Sequence, residues 1–236
     1  MMILGMSLKI KGWRKIIKYT GWILLAVLFL AVMIRIISFE NSYYNAKEGS
    51  ERAIAEEVEE RTEEELIEEE PTEAEVQEYT VAPDRPRYLT IEKLGINKAR
   101  ILAMGVNAAG ELDTPRNIFD VGWYEGSGKP GQGGTLIIDG HNGGPHVLGV
   151  FKNTPKLVNG DIITVERGDG VIYKYSVVEN NAVPLAEADA YMSKAARSPE
   201  PGKESVTLIS CTGEWSQAQG TYLSRQFTRA TLVEQE

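Results

Sequence analysis

The 236-residue sequence contains a single cysteine, Cys211, and only two histidines, His141 and His146. One cysteine cannot form a disulfide within the chain, so a disulfide-stabilised fold is excluded. A lone thiol is either buried and inert or exposed to a partner and reactive, and free cysteine is among the most buried residue types. The residues around Cys211 must therefore decide between these two roles.

The chain also lacks an excess of positive charge, since its formal net charge is -9. The charge is unevenly distributed along the sequence. Residues 1–50 carry seven Lys and Arg against two Glu, whereas residues 51–78 carry 14 Glu against Arg52 and Arg61. The remaining residues are close to neutral and show no basic cluster, so the sequence predicts no nucleic-acid partner.

Only one long apolar run is present, YTGWILLAVLFLAVMI at residues 19–34, and it continues after Arg35. A membrane-spanning helix needs about 20 apolar residues, and flanking basic side chains can extend to the interfaces. The alternative is a cleaved signal peptide, but no A-x-A-like site follows the run. The basic residues precede the run, so we expect a cytoplasmic segment at 1–18, a single transmembrane anchor at 19–37 and an extracellular remainder.

The acidic stretch has too few apolar residues to form a core. We interpret residues 38–83 as a stalk or linker, or simply as a solvated, partly helical spacer. From residue 84 onward, short apolar runs alternate with Gly, Pro, Asn and Asp, which is typical of an all-β domain. The clearest runs are YLTIEKL, GTLIIDG, DIITVERG, VIYKYSVVE, VTLIS and RQFTRATLV.

Local patterns refine this prediction. Val171, Tyr173, Tyr175 and Val177 alternate along one strand and should share a face. Residues 168–170, Gly-Asp-Gly, predict a hairpin turn before that strand. Short helical segments are predicted around 150–157 and 186–196.

Three chemically suited residues stand at the ends of predicted strands. His141 follows TLIIDG, Cys211 ends TLIS, and Arg225 begins RQFTRATLV. Cysteine attack on an amide needs a thiolate, a group that exchanges protons and a donor to the oxyanion. Each residue alone is more often structural, but the ordered set is specific.

The set resembles the signature of the sortases: a His after a strand, a TLxTC motif matched by TLISC at 207–211, and a downstream Arg. The stretch LDTPRNIFDVGWYEGSGKPGQGGTLIIDGH at 112–141 is further similar to class F-type sortases, and the whole resemblance covers residues 87–233. Ser210 stands where the motif has Thr, so it keeps the hydroxyl group and lacks one methyl group.

The resemblance implies an eight-stranded β-barrel with short helices at 84–236. It also implies a cysteine transpeptidase that cleaves an LPxTG-like sorting signal of surface proteins through a thioacyl intermediate. The acyl group would pass to a peptidoglycan precursor, a pilin lysine or water. Cys211 would be the nucleophile, His141 the acid and base, and Arg225 the oxyanion donor, with Ser210 and Thr212 near the substrate. No cofactor and no metal are expected.

Other functions fit the sequence less well. Papain-like enzymes place the cysteine before the histidine in the chain, which is the reverse of the order here. The SHGC-type context of L,D-transpeptidases is absent. A non-catalytic, sortase-like module that binds or assembles partners at the cell surface is the remaining alternative.

Overall fold

The computed structural model of the protein describes residues 66–107 and 110–236, together with Met33, Arg35 and Ser38. The predicted basic segment, the anchor at 19–37 and the first part of the predicted stalk lie outside the described residues, apart from those three. Among the residues described, no helix is both long and apolar enough to span a bilayer.

Eight strands of the described region close into a barrel. They are β1 (Pro86–Ile91), β2 (Ile96–Met104), β3 (Val121–Tyr124), β4 (Thr135–Gly140), β5 (Ile162–Arg167), β6 (Ile172–Pro184), β7 (Ser205–Ser216) and β8 (Thr221–Gln235). Their order around the barrel is β1-β2-β3-β4-β7-β8-β6-β5. β2 is parallel to β3 and β4 is parallel to β7, whereas the other neighbours are antiparallel. The predicted all-β, eight-stranded barrel is confirmed.

The barrel interior is built from alternate residues of the strands, because successive side chains of a strand point to opposite faces. Tyr173, Tyr175 and Val177 are buried there and Val171 packs against them, as the alternation predicts. The same interior cluster includes Leu89, Ile91, Ile101, Trp123, Leu136, Ile138, Ile163, Val206 and Leu208.

Helix α2 (Leu185–Ala195) follows β6 directly and packs on the outside of the barrel. Its buried Ala188 and Ala195 join a second apolar cluster with Ile137, Ile209 and Phe227 of β4, β7 and β8. We call the side of these three strands that faces away from the interior the outer face. The predicted helix at 186–196 is confirmed, whereas the predicted segment at 150–157 contains only a 3-10 turn, Thr154–Lys156.

The end of the predicted stalk packs on the barrel. Helix α1 (Glu73–Glu78) starts at Thr72, which forms a capping box with Glu75. Upstream, the backbone of Ile67 pairs with Asn117. Downstream, the Tyr79 hydroxyl donates to the Ile101 carbonyl at 2.5 Å. The last part of the predicted stalk therefore contacts the barrel, although the barrel domain was expected to begin at residue 84.

Candidate active site

Cys211 and Arg225 are direct cross-strand neighbours on β7 and β8. The alternation places both on the outer face, since Ile209 and Phe227, two residues away on each strand, belong to the outer cluster. Cys211 is partly buried and its thiol is free. The pairing thus puts a guanidinium group and a thiol on the same face of adjacent strands.

The guanidinium group of Arg225 is held by its own end of the β7–β8 hairpin. Its Nη1 donates to the carbonyls of Tyr222 at 3.0 Å and Ser224 at 3.3 Å. Its Nη2 donates to the hydroxyl of Thr221 at 3.2 Å. These bonds restrict a long side chain to one region beside Cys211, which is the kind of preorganisation that an oxyanion donor needs.

His141 is the first residue after β4, which runs parallel to β7 with Asp139 opposite Ile209. Continuing this register by two residues places His141 alongside Cys211. The Nε2 atom of His141 lies 2.8 Å from the Pro115 carbonyl. A carbonyl oxygen can only accept, so Nε2 carries the hydrogen and Nδ1 is the nitrogen free to exchange a proton.

The chain folds back tightly after His141. The Phe151 amide donates to the His141 carbonyl at 2.9 Å, and Gly149 packs so closely on that carbonyl that a Cβ atom would collide with it. By contrast, His146 is exposed in the loop, and the backbone N–H groups of His146 and Val147 donate to Glu68. The backbone thus fixes His141 at the strand end and leaves His146 at the surface.

Burial favours the neutral forms of His141 and Cys211. Desolvation lowers the pKa of His141, although the Pro115 carbonyl partly opposes this shift. Desolvation raises the pKa of the Cys211 thiol, the Arg225 guanidinium lowers it and Asp139 raises it further. At neutral pH a thiol and a neutral imidazole are therefore the main forms.

Asp139 lies beside these residues and was not predicted from the sequence. It lies two residues before His141 on β4, and strand alternation could have identified it. Its carboxylate accepts a hydrogen bond from the Thr114 hydroxyl at 2.6 Å. Desolvation raises the pKa of Asp139 to about 7.

The two residues predicted to contact substrate do not share the face of Cys211. Ser210 is buried, and its hydroxyl lies 3.3 Å from that of Thr154. Thr212 is partly buried next to Cys211 in β7, and the alternation turns it to the side opposite Cys211. Their part in substrate binding stays a prediction.

Arg229 lies farther along β8 than Arg225 and is 2% exposed. It forms an ion pair with Glu179 at 2.7 Å and donates to the carbonyls of Lys194 and Arg197 at the end of α2. The Lys194 carbonyl also accepts the backbone N–H of Arg197 at 3.1 Å, and a cation is favourable at a helix C-terminus. Arg229 is therefore buried and joins α2 to the barrel.

The sequence matches the model of a known protein family. The model of the sortase domain family matches residues 89–233, which include Cys211, His141 and Arg225. The chain belongs to the sortase family. Sortases are cysteine transpeptidases, so the protein is a member of an enzyme family. Across the described residues, no group of three or more His, Cys, Asp or Glu side chains could hold a metal ion.

Solved sortase structures are similar to this sortase at low identity, and no curated protein matches it. Sortase C1 of GBS Pilus Island 1 is 18% identical over 66% of this chain and 67% of its own, with a TM-score of 0.47. A sortase from Actinomyces oris is 18% identical over 74% of this chain and 89% of its own, with a TM-score of 0.48. Sortase A from Corynebacterium diphtheriae is 24% identical over 65% of this chain and 62% of its own, with a TM-score of 0.45. The family assignment rests on the family match.

Proposed function

We propose that this sortase is a membrane-anchored transpeptidase that cleaves an LPxTG-like sorting signal with Cys211, His141 and Arg225. The observation that carries the proposal is the arrangement of these residues. Cys211 and Arg225 are cross-strand partners, and β4, which pairs with β7 as far as Asp139 and Ile209, ends directly before His141. A nucleophile, a proton carrier and a fixed donor are the groups that acyl transfer requires.

In the first half-reaction the Cys211 thiol passes its proton to Nδ1 of His141, and the thiolate attacks the carbonyl carbon of the Thr-Gly bond. The resulting imidazolium protonates the Gly nitrogen as the C–N bond breaks. The products are a thioester on Cys211 and a free amine. The Pro115 carbonyl supports this step because its bond to Nε2 favours the cationic ring.

In the second half-reaction an amine or a water molecule attacks the thioester. His141 takes up the proton of the incoming nucleophile, and the Cys211 thiolate leaves as the new amide or acid forms. A lysine side chain of a pilin or the amine of a peptidoglycan precursor would fit as acceptor. The thioester retains the free energy of the cleaved bond, so the reaction needs no energy-supplying cofactor.

Arg225 stabilises the negative charge that develops on the carbonyl oxygen in both halves. Its planar fork offers several N–H groups in one orientation, and its charge persists at every physiological pH. The hairpin contacts of Nη1 and Nη2 hold the group in place before the reaction begins. The charge has a second effect, since it favours the thiolate form of Cys211.

Membrane anchoring is the other part of the proposal, and its support is the sequence of residues 1–50. A basic segment precedes the one long apolar run, which favours a cytoplasmic N-terminus and an extracellular barrel. Protease added to intact spheroplasts should then remove the barrel while a cytoplasmic control protein survives. Survival of the barrel together with the control would show the orientation to be wrong.

The decisive experiment for the chemistry is mass spectrometry of the intact protein after exposure to an LPxTG-type peptide. The acyl fragment should add to the wild type through a bond that hydroxylamine cleaves, and the variant Cys211→Ala should acquire nothing. A non-catalytic binding module would bind the peptide without any change in mass. Absence of an adduct across a panel of LPxTG-like peptides, with the fold verified by circular dichroism, would argue against the transpeptidase.

A further inference from the structure

One outward-facing side chain of β4 and the first side chain after β4 are hydrogen-bonded to consecutive residues of a single crossing segment. Asp139 accepts from the Thr114 hydroxyl at 2.6 Å, and His141 donates from Nε2 to the Pro115 carbonyl at 2.8 Å. Because Thr114 and Pro115 are adjacent in the chain, a bond that holds one also restrains the other. The position of the Pro115 carbonyl therefore depends on the contact between Thr114 and Asp139.

The packing around Asp139 is shaped for this contact. Gly122 of β3 is the strand partner of Asp139. A Cβ atom at Gly122 would collide with the Asp139 carboxylate and would lie 3.1 Å from the ring of Pro115. Glycine at this position lets both groups sit against β3, so the carboxylate is enclosed between β3 and the segment that carries Thr114 and Pro115.

The charged and titratable groups that face Asp139 are few. Asp113 on the crossing segment and the desolvation of the site both favour the neutral form of the carboxyl group. On β7, Cys211 lies two residues beyond Ile209, the register partner of Asp139, and on the same face. The Asp139 charge opposes the ionisation of Cys211, whereas Arg225 on β8 favours it. His141, directly after β4, is the next titratable group along the chain.

We propose that Asp139 is a positioning residue of this sortase, which holds the Pro115 carbonyl through Thr114 so that the carbonyl orients the ring of His141, and whose charge restrains the reactivity of Cys211. The inference rests on the proposed roles of Cys211 and His141. It adds two separable functions of one side chain. The first depends on a hydrogen-bond acceptor and the second on a negative charge.

The second function has a characteristic pH dependence. The pKa of Asp139 is about 7, so the carboxyl group is neutral well below that pH and ionised well above it. Ionised Asp139 disfavours the thiolate of Cys211. Removing the charge should therefore accelerate alkylation of Cys211 above about pH 8 and leave the rate unchanged below about pH 6.

The variants Asp139→Asn, Asp139→Leu and Thr114→Val separate the two functions. Asn keeps an acceptor of the same shape without the charge, Leu removes both, and Val at 114 removes only the donor. Asp169→Asn is the matched control, because Asp169 lies in the β5–β6 turn and pairs with Arg167. Cys211 alkylation by iodoacetamide is followed from pH 5.5 to 10. The ring nitrogens of His141 are followed by nitrogen-15 NMR, with His146 as internal reference.

For Asp139→Asn we expect alkylation about threefold faster than wild type above about pH 8, equal rates below about pH 6, and an unchanged His141 spectrum. For Asp139→Leu and Thr114→Val we expect the hydrogen bond from His141 Nε2 to the Pro115 carbonyl to weaken, so that the nitrogen-15 shift of Nε2 moves toward that of His146. Turnover should then fall further than in Asp139→Asn, through kcat rather than KM. Asp169→Asn should match the wild type throughout.

The positioning role is overturned if the His141 spectrum is the same in wild type, Asp139→Leu and Thr114→Val. The electrostatic role is overturned if Asp139→Asn changes alkylation by the same factor at every pH, or not at all. Neither measurement needs a substrate peptide. If the variants differ from the wild type as expected but the wild type transfers no peptide, the result counts against the proposed function. The role of Asp139 then still stands.

Discussion

Cys211 and Arg225 face each other across the β7–β8 pair, four residues from the pair formed by Thr207 and Arg229. Both arginines point to the outer face, as their even spacing requires. Yet only Arg225 lies beside the thiol, and Arg229 is occupied with Glu179 and the end of α2. The two arginines therefore have different roles, which makes them a matched pair for mutagenesis.

Arg225→Ala should reduce transpeptidation about 10²–10³-fold, equivalent to about 3 to 4 kcal/mol, because a preorganised oxyanion donor is lost. Arg225→Lys should recover little of this, since a single ammonium group cannot reproduce the planar fork. Steady-state kinetics with an LPxTG-type peptide and an amine acceptor would measure both. Near-normal turnover of Arg225→Ala would remove this residue from the mechanism.

Arg229→Ala should act on stability. The change removes the side-chain donor to the carbonyls of Lys194 and Arg197 and one partner of Glu179, at a cost of about 2 to 3 kcal/mol. For a domain of this size, this corresponds to a Tm lower by about 5 to 10 °C. Thermal unfolding followed by circular dichroism would measure it.

The matched control for Arg229 is Arg85→Ala, which breaks an exposed ion pair with Glu125 whose side chains are 41% and 46% exposed. Such pairs contribute about 0 to 1 kcal/mol, so its Tm should fall by no more than about 4 °C. Equal losses in the two variants would contradict the structural role of Arg229. The turnover of correctly folded Arg229→Ala should stay within about tenfold of the wild type.

Much of the barrel could be predicted from sequence because six strands carry apolar runs or clear alternation. β2 and β3 were not predicted. In β2, the sequence INKARILAM buries only Ile96 and Ile101, and β3 has just four residues. Their parallel pairing joins distant parts of the chain, and no local pattern specifies it. The closed barrel came from the family resemblance.

The sequence predicted Cys211, His141 and Arg225 at the ends of strands, and the structure agrees only for His141, which directly follows β4. Cys211 and Arg225 lie within β7 and β8, because these strands extend to Ser216 and begin at Thr221. Asp139 became a site residue only because the segment carrying Thr114 and Pro115 crosses over it. Likewise, the burial of Arg229 depends on α2, which the chain inserts between β6 and β7.

The two histidines should differ sharply in mutagenesis. His141→Ala should lower turnover by at least about 100-fold, the usual contribution of a general acid and base. His146→Ala should change it by less than about tenfold, because the exposed loop holds this residue through its backbone amide alone. Peptide cleavage by both variants would decide the assignment, and the reverse order of effects would refute it.

Glu68 should restrain the loop that follows His141. Its carboxylate accepts the N–H groups of His146 at 2.8 Å and Val147 at 3.1 Å. Removing it in Glu68→Ala should cost about 1 kcal/mol locally, so these two amides should exchange with solvent about fivefold faster. Glu69→Ala is the control, because it removes the same charge one residue away and keeps the backbone carbonyl that binds Asn117. Identical exchange in the two variants would contradict the restraint.

The effect of the Arg225 charge can be measured separately from the effect of its hydrogen-bond geometry. The measurement is the reactivity of Cys211, which needs no substrate. Burial raises the pKa of the thiol and the guanidinium lowers it. The alkylation rate of wild-type Cys211 should therefore increase with pH, and the pH at which the rate is half-maximal should be higher than for a free cysteine peptide. In Arg225→Ala the midpoint should move higher still, because the favourable charge is gone while the burial remains.

Arg225→Lys keeps a positive charge near the thiol, so its alkylation midpoint should stay close to that of the wild type even though its turnover is low. This divergence follows from the physics of the two effects. A thiolate responds to net charge over several ångströms, whereas an oxyanion responds only to donors within hydrogen-bond distance. Iodoacetamide kinetics between pH 6 and 10, with Arg85→Ala as a distant charge control, would test it. If Arg225→Lys moved the midpoint as far as Arg225→Ala, the charge of Arg225 could not be what lowers the thiol pKa.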